Sequence, residues 1–121
     1  MLRIVSAGEK KRLRALAVIC THNRFIRRIN KIFLKHDYVT DVIAFPLGMD
    51  CSVEAEIYIN LDAARSQARI YGVTYTQELQ RLLIHGVLHL FGYNDKTQRE
   101  RKIMSACEEK YLSKMNRKAK K

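Results

Sequence analysis

The spacing of apolar residues changes several times along this 121-residue chain, and each change marks an element. RALAVIC, from Arg14 to Cys20, is short, apolar and bounded by basic residues and by Thr21-His22-Asn23, as suits a buried strand leading into a helix start. Thr21 or Asn23 can cap that helix. In RFIRRINKIFLK, Phe25, Ile29, Ile32 and Phe33 share one helical face and Arg24, Arg27, Arg28 and Lys31 face outward, predicting an amphipathic helix with a cationic side. DVIAFPL, from Asp41 to Leu47, predicts a second strand ended by Pro46 and Gly48. EAEIYINL alternates around Ile57 and Ile59 and predicts a third. A helix LDAARSQARIYG follows and stops at Gly72; Thr74 or Thr76 starts the long helix TQELQRLLIHGVLHLFG, and a charged helix covers about Gln98 to Leu112. LRIVS at 2–6 reads as a stub, and the basic tail 114–121 is expected to be disordered because it has too little apolar surface to offset ordering entropy. The expectation is one α+β domain over 1–113, a small mixed sheet of about three to four strands packed against about four to five helices.

Charge adds a partner to this outline. Lys and Arg number 23 against 12 Asp and Glu, a net charge of +11 that favours an anionic partner, nucleic acid first. No apolar run approaches the roughly 20 residues of a spanning helix, and the N-terminus lacks a signal peptide's apolar region. No membrane association and a cytoplasmic location are therefore expected. Cys20, Cys51 and Cys107 form no CxxC pair, which points away from disulfides and zinc ribbons and toward reduced, buried thiols.

The chemistry concentrates in HGVLHLFGYND, residues 85–95. Four residues advance a helix by about 40° beyond one full turn, so His85 and His89 present two imidazoles to one side. Leu79, Leu82, Leu83, Gly86 and Leu90 make the neighbouring face apolar, placing the pair at the edge of the core. Gly92 can take the left-handed conformation that ends a helix and turns Asp95 back toward the rings. Two imidazole nitrogens and a carboxylate suit one Zn²⁺ and leave a fourth position open, the pattern of a catalytic zinc site. The blander alternative has two satisfied histidines, Gly92 as a helix cap and Asp95 capping the last helix. HxxxHxxGxxD is also the spacing of metzincin-type peptidases, but Gly86 stands where those carry the general-base Glu. The cationic surface favours phosphodiesters over peptides as substrate. Asp41 and Glu56 are candidates to support the ring nitrogens or, equally, to pair with surface cations. His22 and His36 read as solvated residues.

HGVLHLFGYND resembles the HGxLHLxGYDH signature of the YbeY family of metal-dependent, single-strand-specific endoribonucleases. AEIYINLDAARSQARIYG resembles that family's G-[DE]-I-x-I-S strand and following helix, and NKIFLKHDYVTDVIAFP its N-x-x-Y-R-x-K-D-x-P-T-D-V-L-S-F-P segment. The likeness runs from about Leu16 to Glu109. It implies a zincin-like metal site on a central helix, zinc held by His85, His89 and Asp95, single-stranded RNA as substrate, association with the small ribosomal subunit or an rRNA precursor, and maturation of the small-subunit rRNA 3′ end with a part in ribosome quality control. Three positions depart from the pattern. Asp95 replaces the usual third His, Leu34 falls where the family has Arg, and Ala44 where it has Ser. Lys35 or His36 is the candidate to replace the lost arginine's contact with phosphate. Arg24, Arg27, Arg28 and Lys31 are the candidate RNA-binding residues, with Lys10, Lys11, Arg12 and Arg14 as a second cationic cluster. The competing reading is a ribosome- or RNA-binding protein whose metal is structural and whose catalysis has weakened. A third is hydrolysis of a different substrate by the same site.

Overall fold

A computed structural model describes residues 2–9, 12–47 and 52–119. The elements in order are α1 (Leu2–Glu9), β1 (Arg12–Thr21), α2 (Asn23–Leu34), β2 (Val42–Pro46), β3 (Ser52–Asn60), α3 (Leu61–Tyr71), α4 (Tyr75–Leu90) and α5 (Gln98–Ala119). This is an α+β fold with a three-stranded mixed sheet in the order β1-β3-β2. β3 is central, parallel to β1 with Ile57 opposite Val18, and antiparallel to β2 with Ile57 opposite Ala44. Alternation along β3 sends Ala55, Ile57 and Ile59 to the buried face, where α4 lies across the sheet.

Gly86 makes that approach close. A Cβ on it would meet Ile57 Cδ1 at 3.1 Å, Ile57 Cγ2 at 3.2 Å and Val42 Cγ2 at 3.4 Å. The residue whose lack of a carboxylate argued against a peptidase is thus also the contact between helix and sheet. Leu82, Ile84, Val87 and Leu88 of α4 form one cluster with Val5 of α1, Ile57 and Ile59 of β3, and Met104 and Tyr111 of α5. Each fully buried aliphatic side chain there contributes on the order of 1.5–3 kcal/mol.

Several expectations are revised. LRIVS belongs to a helix, α1, tied down by the buried Val5. The last helix runs past Leu112, with bounds Gln98–Ala119; Leu112 and Met115 continue the apolar stripe of Met104 and Tyr111 against the core. Cys20 is exposed, not buried, because β1 is an edge strand; Cys107 is half-buried and Cys51 lies outside the described residues.

The largest revision concerns α2. Its buried positions are Ile26 and Asn30, whereas Phe25, Ile32 and Phe33, expected to face the core, are 45 %, 60 % and 63 % exposed. The helix lies over the outer face of the sheet, touching it along an aromatic row. Phe25 stacks with Tyr58, Tyr58 meets Phe45 edge-on, and Phe45 meets Phe33 edge-on. With only one layer to lean on, α2 leaves part of its apolar face uncovered.

Candidate metal centre

α4 starts with a reciprocal cap. Thr74 Oγ1 accepts from Gln77 N–H at 3.1 Å and Gln77 Oε1 accepts from Thr74 N–H at 2.9 Å. It ends at a glycine turn in which Gly92 N–H donates to His89 O at 3.1 Å and Tyr93 N–H to Leu88 O at 3.0 Å. Gly92 sits at φ +102°, a backbone conformation that side chains resist. The turn carries the chain back along the helix, as its spacing predicts. Asp95 is not the cap of α5. Thr97 fills that role by exchanging bonds with Glu100, at 3.0 and 2.9 Å, which leaves Asp95 for the histidines.

Asp95 Oδ2 lies 3.2 Å from His85 Nε2 and 3.3 Å from His89 Nε2, and the two Nε2 atoms are 3.0 Å apart. Tetrahedral ligation at the usual zinc distance of about 2.0–2.1 Å requires ligand atoms about 3.3 Å from one another. The spacing fits. The outer nitrogens orient the rings. His89 Nδ1 is 3.0 Å from the Tyr93 carbonyl oxygen, which can only accept, and His85 Nδ1 is 2.5 Å from Glu108 Oε2. Both Nδ1 atoms are therefore placed to donate, and each Nε2 is the nitrogen that faces the other ring and a carboxylate oxygen. A cation at their centre would face all three atoms. Burial pulls the His85 pKa down, but the hydrogen bond and charge of Glu108, with the charges of Asp41 and Asp95, more than offset it and leave the pKa raised. The field that favours a proton there favours a divalent ion equally.

Glu108 is the centre of a supporting network that sequence reasoning missed. It is 4 % exposed, and its second oxygen accepts from Arg81 Nη1 at 3.1 Å. Arg81 is fixed in turn by Glu78, 1 % exposed, through bonds of 2.8 and 2.6 Å. Glu78, Arg81, His85 and His89 recur at helical spacing on α4, and Glu108 interrupts the apolar stripe of Met104 and Tyr111 on α5. Those two patterns were the available signals. Tyr93, whose carbonyl holds His89, donates its hydroxyl to Glu9 of α1 at 2.5 Å, and Tyr111 donates to the same carboxylate. The two supports expected from the sequence have other hydrogen-bond partners. Asp41 contributes charge to His85 but its carboxylate accepts from Gln67 at 3.3 Å, and Glu56 accepts from Tyr58 at 3.3 Å.

A profile of the family described as Endoribonuclease YbeY matches residues 2–116. The chain belongs to the YbeY family. A relative named Endoribonuclease YbeY from Chlorobaculum tepidum is 44 % identical over 112 residues, 93 % of this chain and 82 % of its own. One of the same name from Bacteroides thetaiotaomicron is 39 % identical, with the same two shares of 93 % and 82 %. A Thermotoga maritima protein solved in solution superposes with a TM-score of 0.64 at 32 % identity, covering 92 % of this chain and 73 % of that one. The remaining expected site residues lie on other elements than the three candidate ligands. Arg24, Arg27, Arg28 and Lys31 are exposed on α2; Arg27 bonds Asp37 at 2.9 Å and Lys31 lies 3.9 Å from it. Leu34 ends α2, and Lys35 follows in a left-handed conformation, φ 59°. His36 is stacked on Tyr38. His22 is exposed and paired with Asp62 at 3.1 Å. Lys10 and Lys11 lie outside the described residues. No described helix is long and apolar enough to cross a membrane.

Proposed function

We propose that this chain is a zinc-dependent endoribonuclease that cleaves single-stranded RNA in the cytoplasm. Its substrate is an rRNA precursor on the small ribosomal subunit, at the 3′ end of the small-subunit rRNA, and the same activity serves ribosome quality control. The observation that carries the metal chemistry is the convergence of His85 Nε2, His89 Nε2 and Asp95 Oδ2 within 3.0–3.3 Å, with both Nδ1 atoms placed to donate. Family membership supports RNA as the substrate, and the net charge of +11 supports a polyanion.

Zinc held by these three residues supplies Lewis acidity toward a phosphoryl oxygen and toward water. The chain supplies the rest. Glu108 accepts from His85 Nδ1, and the Tyr93 carbonyl accepts from His89 Nδ1, so both rings are oriented with Nε2 toward the metal position. Asp95 adds a negative charge where the family pattern has a neutral ring, which stabilises the bound cation and reduces its acidity toward water. Arg24, Arg27, Arg28 and Lys31 hold the phosphate backbone along α2. Lys35, exposed and without an ion pair among the described residues, carries the charge that Leu34 lacks.

The test is metal analysis of the purified protein followed by cleavage of a single-stranded RNA by wild type and His89→Ala. The expected result is bound zinc and cleavage lost on His89→Ala or on chelation. Bound zinc with equal cleavage by both proteins, or none by either, favours the RNA-binding reading with a structural metal, to which Leu34 and Ala44 already lend weight. Full cleavage by Lys35→Ala and by His36→Ala sinks the replacement of the family's arginine by either residue.

A further inference from the structure

The segment between α2 and β2 carries a feature that the metal centre does not use. The His36 and Tyr38 rings lie nearly parallel, 13° between planes and 5.3 Å between centroids, with the Tyr38 hydroxyl 3.1 Å from His36 Nδ1. Both residues are exposed, Tyr38 by 54 %.

The backbone holds this pair in place. Lys35 reverses the chain in a left-handed conformation, and the His36 N–H donates to Asn30 O at 3.1 Å. The Asn30 side chain, 2 % exposed, reaches across to donate to the Tyr38 carbonyl at 3.1 Å. A buried amide therefore spans the loop from inside and fixes the stack without touching its outer face. The surroundings are cationic and aromatic together. Arg28 and Lys31 are exposed in the second half of α2 and Lys35 just after its end, and Phe33 between them is 63 % exposed. Asp37 offsets part of that charge through Arg27 and Lys31.

Position supplies the last step. Four residues after Tyr38 comes Val42, whose Cγ2 lies 3.4 Å from where a Cβ on Gly86, next to His85, would stand. Four residues span at most about 14 Å, so the stacked rings stand a short step of chain from the helix face beside His85. We propose that His36 and Tyr38 form a preorganised platform on which a base of single-stranded RNA stacks beside the scissile phosphate. The platform rests on the reading of the chain as an RNA-cleaving enzyme and assigns His36 a stacking role beside the charge that Lys35 supplies.

The experiment is fluorescence anisotropy of a labelled, 2′-O-methylated single strand with the full-length protein. A second strand carries abasic residues in place of the central bases. Tyr38→Ala is expected to bind the intact strand about tenfold more weakly, within the range for one stacked base, while Tyr38→Phe stays within about twofold. The abasic strand is expected to bind wild type more weakly and Tyr38→Ala no more weakly still. Because Tyr38 is exposed, an unchanged melting curve separates lost binding from lost fold. If Tyr38→Ala binds the intact strand as wild type does, or weakens both strands equally, the platform is refuted and the enzyme reading stands. A wild-type protein that binds neither strand at low salt overturns the enzyme reading itself.

Discussion

Replacing Glu108 by Gln tests the metal centre at a residue that bonds the outer nitrogen of a candidate ligand and is not itself a ligand. The side chain keeps its shape, but a carboxylate that accepts from two donors, His85 Nδ1 at 2.5 Å and Arg81 Nη1 at 3.1 Å, becomes an amide that accepts from one. If the amide oxygen faces His85, its NH₂ group confronts Arg81, a guanidinium already held by the buried Glu78. If the oxygen faces Arg81, the NH₂ group points at His85 Nδ1, which then accepts, and the ring proton moves to Nε2 where a metal must bind. Either orientation forfeits one charge-assisted hydrogen bond, about 1.5–3 kcal/mol in a buried setting. For the metal the loss is about 10- to 100-fold in affinity, the usual scale for the partner of a ligating histidine. Competition against a chromogenic zinc chelator reads this directly, with circular dichroism on the same samples to confirm the fold. Glu109→Gln, one residue on and exposed, serves as the control and should bind zinc as wild type does. Zinc affinity of a folded Glu108→Gln protein within about twofold of wild type would show that the network does not set the tautomer.

Three further outcomes follow from other parts of the molecule. Gly92→Ala places a side chain at φ +102°, costs about 1–3 kcal/mol of stability in a denaturant titration, and weakens zinc binding because the same turn delivers the Tyr93 carbonyl to His89; unchanged stability would contradict the turn geometry. Removing the charges of Arg24 and Arg28 together should lower the slope of log affinity against log salt by up to about 1.4 if both contact phosphate on a single strand, and an unchanged slope would place the RNA elsewhere. Asp62 is held below the usual carboxylate range, first by the Asn23 backbone N–H and then by the His22 side chain. A depressed folded-state pKa contributes stability above the unfolded value, near pH 4, that is lost as pH falls through the folded one. Asp62→Asn should therefore flatten the acid limb of the stability profile, and identical acid unfolding of mutant and wild type would refute the linkage.

The parts of this protein that could be read from the chain are those governed by short-range geometry. His85 and His89 share a side because four residues nearly complete a helical turn, and Gly92 ends α4 because few other residues tolerate its backbone angle. Asp95 returns to the rings through that same local turn, so the three candidate ligands lie within 11 residues of sequence. The strands and most helix limits were legible for the same reason, from alternation, periodicity and caps. Glu108 was not, because its partner lies 23 residues away and their meeting depends on how α5 docks along α4. The exposed side of α2 was hidden too: a helical period marks an apolar face but cannot say whether one layer or two will cover it, and here the sheet covers only Ile26 and Asn30 fully. Gly86 belongs to both descriptions. The sequence marks it as the position without a general base, while its contact with Ile57 and Val42 exists only because the helix lies on the sheet.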